Sequence, residues 1–328
     1  MGGRTKPRSE TEPAPAALAA LFEREQRGLW GLAYRLTGSA ADAEDIVQEA
    51  FVRALERGPA PEDEGLRPWL VRVATNLALD ALRRRKRRGY DGPWLPSPIE
   101  GDPSESELAS AASSSPEARY GVLESASFAF LLALEALGPR QRAVLVLRDV
   151  LDYSARETAD VVGTTEANVR ILHHRARLAL ASYDAERTIP TEAHRERTRI
   201  ALEEFLRCLA QQDARGLEAL LADSVRTVTD AGGAYTALRE PLAGRDRVSV
   251  FYLRAALLRQ VAEPRIEVRV VNGLPAAVIE LARPQRRQAP RTVLRCEIDP
   301  NGRIRELHSV LAPEKLGAVR FAGSSSDA

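Results

Sequence analysis

The sequence predicts a multidomain chain of two all-α modules followed by one α+β domain. Apolar residues recur at helical spacing in two blocks, and a Pro-, Gly- and Ser-rich stretch divides them. Beyond residue 223, runs such as SVRTVTD and RIEVRVV alternate as strands do. The boundaries fall as a loose tail at 1–16, a first module at 17–88, a linker at 89–122, a second module at 123–187, the α+β domain at 188–320 and a disordered tail at 321–328. A length of 328 residues accommodates this at about 100–200 residues per domain. With 44% hydrophobic and 28% charged residues the chain is too apolar for wholesale disorder.

No stretch approaches the ~20 apolar residues of a bilayer span, and the N-terminus lacks the apolar core of a signal peptide. A cytoplasmic chain with no membrane partner is expected. Cys208 and Cys296 stand apart, with no CxxC or Cys/His cluster, which predicts two small core residues and neither a disulfide framework nor a structural zinc; no cofactor is expected.

The formal net charge of +1 singles out no partner, but the charge is unevenly placed. Residues 38–66 carry eight acids and two bases, whereas residues 67–88 carry eight bases and one acid. A basic block closing an amphipathic helix is an electrostatic footprint of nucleic-acid binding, although charge runs are also simply solvated faces.

In the first module, Leu18, Leu21, Phe22, Leu29, Leu32, Ala33 and Leu36 predict one helix over 17–37, or two broken near Gly28. Ser39 caps the next helix, whose apolar stripe is Ile46, Val47, Ala50, Phe51 and Leu55, while Asp42, Asp45 and Glu49 project elsewhere. Gly58 and Pro59 end it, and Pro68 suits the first turn of a third helix reaching about residue 88. On that helix Leu70, Val73, Ala74, Leu77 and Ala81 face the core. Arg72, Asn76, Asp80, Arg83 and Arg87 share a stripe about 80° wide. The stripe is either a solvated face or a surface on which arginines neutralise phosphates and Asn76, both donor and acceptor, reads a base edge. Trp69 would cover the core or stack on an unpaired base.

In the second module, Ala159, Gly163 and Val169 have the small–Gly–aliphatic spacing of a helix-turn-helix, with Val169, Leu172, Ala176 and Leu180 inward. Glu166, Arg170, His173 and Arg177 are then expected on an outward face that fits the major groove, where Arg takes guanine and Glu accepts from cytosine. His173 and His174 point about 100° apart and lack a carboxylate or Cys partner, so no metal site is expected there.

The stretches AYRLTGSAADAEDIVQEAFVRAL, RPWLVRVATNLALDALRRRKRR and ALGPRQRAVLVLRDVLDYSARETADVVGTTEANVRILHHRARLAL closely resemble regions two and four of bacterial extracytoplasmic-function (ECF) sigma factors. The likeness covers roughly residues 17–185. It implies a non-enzymatic promoter-specificity subunit whose partners are promoter DNA and the β′ clamp and β flap of core RNA polymerase. It further implies that Asp42, Asp45, Gln48 and Glu49 face the polymerase. Trp69, Arg72, Asn76, Asp80, Arg83, Arg84 and Arg87 would hold the melted −10 strand, with residues 58–67 shaping a pocket for a flipped base. Thr165, Glu166, Asn168, Arg170, His173, His174 and Arg177 would read the −35 duplex.

Within the linker, YDGPWLPSP sets two aromatics among three prolines, a stiff apolar segment expected to dock in a groove. It resembles the linker of the ECF branch that carries a fused SnoaL-like C-terminal domain. That branch's DGGG-like turn and Asn-Pro-Asp-Lys-Leu-like segment appear here, with departures, as Asp230, Ala231, Gly232, Gly233 and as Ala312, Pro313, Glu314, Lys315, Leu316. The resemblance implies interdomain, regulatory roles for Tyr90, Gly92, Pro93, Trp94, Leu95, Pro96, Asp230, Gly232, Gly233, Pro313, Lys315 and Leu316, with the C-terminal domain as an intramolecular regulator.

Residues 195–222 read as two helices followed by strands, similar to a SnoaL-like, nuclear-transport-factor-two-like cone with a curled antiparallel sheet and helices in its concave face. Chemistry in such a pocket needs a carboxylate or His tuned by burial. Asp223, Asp230 and His308 are candidates, each of which could equally lie on the surface. Two readings compete with the sigma factor. One is a ketosteroid-isomerase-type enzyme or ligand sensor fused to a DNA-binding module, which a deep apolar pocket with a perturbed base would mark. The other is an ordinary helix-turn-helix activator, against which the acidic helix argues.

Overall fold

A computed structural model describes residues 15–59, 65–101, 122–187 and 191–321. The expectations for residues 1–14, the tip of the 58–67 loop, the later linker and the C-terminal tail beyond 321 lie outside the described residues. The first module is three helices, α1 (Pro15–Thr37), α2 (Ala40–Arg57) and α3 (Leu66–Arg88). Helix α1 is continuous through Gly28, because Leu29 and Leu32 beside it are buried and their packing outweighs the ~1 kcal/mol propensity cost of one glycine. The Ser39 side chain caps α2 by accepting from the Asp42 amide at 3.2 Å.

The second module runs through α4 (Val122–Ser125), α5 (Phe128–Ala133) and α6 (Pro139–Leu145), which continues into a π turn over Val146–Val150. Helices α7 (Ala155–Val162), α8 (Glu166–Ala179) and α9 (Ala181–Glu186) follow. Ser154 and Glu157 form a capping box on α7, Gly163 turns the chain at φ 68°, and Thr165 caps α8, which together produce the helix-turn-helix. The two modules are not separate bodies. Leu32, Leu36, Leu70 and Ala74 share one apolar core with Leu134, Val144, Leu147 and Val169.

The C-terminal domain places α10 (Glu192–Gln211), α11 (Ala214–Leu220) and α12 (Arg245–Gln260) against a six-stranded sheet. Its strands are β1 (Leu221–Asp230), β2 (Leu242–Ala243), β3 (Pro264–Val271), β4 (Leu274–Leu281), β5 (Arg291–Ile298) and β6 (Ile304–Val310), in the order β2-β1-β6-β5-β4-β3. The expected antiparallel sheet is in fact mixed, since β1 runs parallel to β6. Helix α12 escapes a periodicity search because apolar residues surround it, with Val250, Leu257 and Leu258 left exposed.

Strand alternation gives the sheet two cores. The concave side packs Leu294, Cys296 and Leu307 with Leu202, Phe205 and Tyr252 of the helices. The convex side packs Val278, Val293 and Val310 with Leu95 of the linker, Phe128 of the second module and Leu316. Cys208 and Cys296 are buried and free. Among the described residues no helix is long and apolar enough to cross a membrane.

Candidate nucleic-acid surfaces and the interdomain latch

On α3 the apolar positions Leu70, Ala74 and Ala81 are buried, and Arg72, Asn76, Asp80, Arg83, Arg84 and Arg87 are all exposed. Trp69 is half-buried and packs on the shared core. Arg83 donates to Asp80 at 2.8 Å, but both are exposed, and a pair in water is worth at most about 1 kcal/mol. A phosphate can therefore compete for Arg83. On α2, Asp45 and Gln48 are exposed while Asp42 and Glu49 are half-buried, Glu49 accepting from Arg53 at 2.8 Å. Leu55, expected in the apolar stripe, is exposed in the last turn of α2.

The corresponding face of α8 is less open. Thr165, Glu166, Arg170 and His174 are exposed, and Asn168 is half-buried with its amide donating to the Thr164 hydroxyl at 2.8 Å. His173 and Arg177 do not join them on a free outward face, which corrects the sequence reading. Asp149, in the π turn and 2% exposed, meets His173 Nε2 at 2.7 Å and accepts from Arg177 Nε at 3.0 Å and Nη2 at 2.7 Å. The physical reason is position: both side chains leave α8 beside its inward stripe, where a sealed carboxylate draws them down. Burial alone would raise the Asp149 carboxyl, but the bonds from His173 and Arg177 prevail and hold it below the usual range. The Arg177 side chain keeps 41% of its surface in solvent, so it borders the exposed face of α8. Sequence reasoning missed Asp149. Its signal was a lone acid within AVLVLRDVL, since an ionised group in an apolar run persists only if paired.

Between domains, one carboxylate gathers the linker and the last segment. Asp230, fully buried at the end of β1, accepts from the Tyr90 hydroxyl at 2.6 Å, the Leu95 amide at 2.7 Å and Lys315 Nζ at 2.5 Å. Lys315 also donates to the Leu95 carbonyl at 2.6 Å, and its ammonium lies over the rings of Tyr90 and Trp94 at 4.5 and 4.2 Å. Burial pulls Lys315 down to about 8 against the attraction of Asp230. Burial, then the Asp230 carboxylate, pushes the Tyr90 phenol up. Gly232 and Gly233 turn at positive φ, and a Cβ on Gly233 would press on the Asp91 carboxylate at 2.7 Å. Pro93 is half-buried, Pro96 and Leu316 are buried, and Gly92 and Pro313 are exposed.

Trp94 closes the joint on the other side. Its ring sits where a Cβ on Gly38 would be, and the Arg85 guanidinium stacks on it at 3.9 Å. Arg85 also reaches Glu135 at 2.6 Å and so ties α3 to the second module. Asn272, at φ 49° in the β3–β4 turn of the C-terminal domain, touches both helical modules and the linker. Its amide nitrogen donates to the Tyr34 hydroxyl at 2.9 Å and to the Ala126 carbonyl at 3.1 Å, and its oxygen accepts from the Ile99 amide at 3.1 Å. Neither Arg85 nor Asn272 stood out as an interdomain contact in the sequence. The Asn272-Gly273 pair between apolar runs signals a tight hairpin, though not what its side chain reaches.

The three candidate bases do not converge. Asp223 is exposed and pairs with Arg245 at 2.5 Å, and Asp230 belongs to the latch. His308 is not a surface residue but is buried on the convex side, 5.4 Å from the Phe128 ring. The concave face holds a cavity of about 850 Å³, whose described lining has no His and a single carboxylate, the exposed Asp246. No metal-binding cluster occurs among the described residues.

Comparison with known proteins matches residues 21–88 to Sigma-70 region 2 and residues 127–180 to Sigma-70 region 4. The chain is 36% identical to the ECF RNA polymerase sigma factor SigJ of Mycobacterium tuberculosis over 236 residues, 71% of each chain. It is 30% identical to the probable ECF RNA polymerase sigma factor SigI of the same organism over 321 residues, 95% of this chain and 98% of the relative. The crystal structure of M. tuberculosis SigJ superposes with a TM-score of 0.68 at 29% identity, covering 90% of this chain and 97% of that one. With this likeness running over nearly the whole chain, the chain belongs to the extracytoplasmic-function family of RNA polymerase sigma factors.

Proposed function

We propose that this sigma factor works in the cytoplasm without catalysis of its own, and that its SnoaL-like domain (188–320) governs the two promoter-reading modules (17–88 and 123–187) by holding them closed. In this reading α2 offers Asp42, Asp45, Gln48 and Glu49 to the β′ clamp, and the second module meets the β flap. The α3 stripe grips the unpaired −10 strand, Asn76 supplying base contact and the arginines phosphate contact. Residues 165–177 seat in the −35 major groove, led by Glu166 and Arg170.

The observation that carries the regulatory part is the core shared by the two modules. Two readers that must reach separate promoter elements, at about 3.4 Å of duplex per base pair, cannot remain joined in one core. Opening is therefore required. The latch ties the linker between the modules to the C-terminal domain, so releasing Asp230 favours the open form.

Run-off transcription with reconstituted polymerase tests both parts. Asn76→Ala and Arg170→Ala each lower specific initiation by roughly 5- to 100-fold, the equivalent of about 1–3 kcal/mol per base contact. A chain ending at residue 187 initiates at a different level from the full chain at equal concentration. Identical output from the two would remove the regulatory role and leave the promoter reading standing.

A further inference from the structure

We infer that the concave cavity of the C-terminal domain binds an amphipathic organic anion, an apolar carboxylate, and that its occupancy fastens the latch. The cavity, about 850 Å³, has the size of a small-molecule site. Leu242, Phe251 and Leu311 give it an apolar body, and five arginines against one carboxylate, Asp246, give it a positive lining. Arg259 lines it half-buried, with burial pulling its guanidinium down and no carboxylate beside it among the described residues. Thr229 lines it as well, and its buried hydroxyl has no hydrogen-bond partner. Unpaired polar groups in an apolar wall cost stability that a ligand's carboxylate recovers.

The same strand connects the cavity to the latch. Successive side chains of a strand point to opposite faces, so Thr229 meets the cavity while Asp230, the next residue, meets Tyr90, Leu95 and Lys315 on the convex side. A ligand that binds this arrangement stabilises it by mass action. The consequence for transcription depends on the closed-form reading above; binding and coupling do not.

The probe is laurate, with 1-dodecanol as the neutral control, titrated calorimetrically into the full chain. Laurate binds one site, and dodecanol binds at least about tenfold more weakly, the share of one charge-assisted hydrogen bond. Arg259→Gln loses that tenfold for laurate and not for dodecanol, and Ala255→Trp, which fills the cavity, weakens both. Equal affinity for the acid and the alcohol, or laurate binding unchanged in both variants, overturns the site. Hydrogen exchange at the Leu95 amide reads the coupling without DNA or polymerase. Slower exchange in the laurate-bound chain supports it, and unchanged or faster exchange overturns it.

Discussion

Asp149 and Asp230 are both buried acids that collect donors, but they collect them over different distances along the chain. The partners of Asp149 lie 24 and 28 residues away on a single helix. Apart from the Gly232 amide two residues on, those of Asp230 lie 85, 135 and 140 residues away, in the linker and the last segment. The first fastens one folding unit to itself, and the second fastens domains to each other. Exposure differs too: the Arg177 side chain is 41% exposed, whereas that of Lys315 is 4% exposed. Freed from its acid, Arg177 can turn to water; Lys315 can do so only if the domains part.

The strongest way to break this contrast is Asp230→Ala. It takes the shared carboxylate from a buried ammonium, a phenol and an amide, and leaves Lys315 with only the Leu95 carbonyl, a loss of about 3–5 kcal/mol to the docked arrangement. The linker around Tyr90–Pro96 becomes susceptible to limited proteolysis while the circular dichroism of each domain persists. Collapse of the second module together with the linker would show that the two fastenings are not separable.

Asp149→Asn comes next, with about 1.5–3 kcal/mol lost from the second module, since the bonds from His173 and Arg177 lose their charge. Its pH dependence has a definite sign. The folded carboxyl titrates below its unfolded value, so its contribution is complete above pH about 4 and is lost as the pH falls through the folded value. Thermal melting of the wild type therefore steepens on that acid limb, and the Asn variant flattens it. A parallel acid limb in both chains would mean that Asp149 contributes nothing by ionisation.

These two acids also mark how far the sequence could be read. Helical spacing, the Ser39 cap and the Ala159–Gly163–Val169 pattern located both modules, because each is a local property of neighbouring residues. The α3 stripe was legible for the same reason. The α8 face was legible only in part, because its wheel does not reveal that a carboxylate from the preceding turn waits under His173 and Arg177. Helix α12 and the parallel β1–β6 pair were not legible: one lacks a clean apolar stripe, and the other depends on a pairing between residues some 80 positions apart. Asp230 was singled out by resemblance, but its burial and its three distant donors belong to tertiary structure alone.

The smallest effect sharpens the contrast from a third position. Asn272 lies in the hairpin turn at φ 49°, so Asn272→Gly preserves the turn and removes only the side chain. Tyr34 keeps its bond to the Ser97 carbonyl at 2.7 Å, and the Ile99 amide and Ala126 carbonyl lose theirs. With neutral partners at a joint that water can enter once loosened, the cost is about 1 kcal/mol, well below that of either acid. Faster hydrogen exchange at the Ile99 amide, with an unchanged Leu95 amide, would show that the hairpin and the latch hold the linker independently. Equal acceleration at both amides would make them one cooperative fastening, and the loss of Asp230 would then have to expose Ile99 as well.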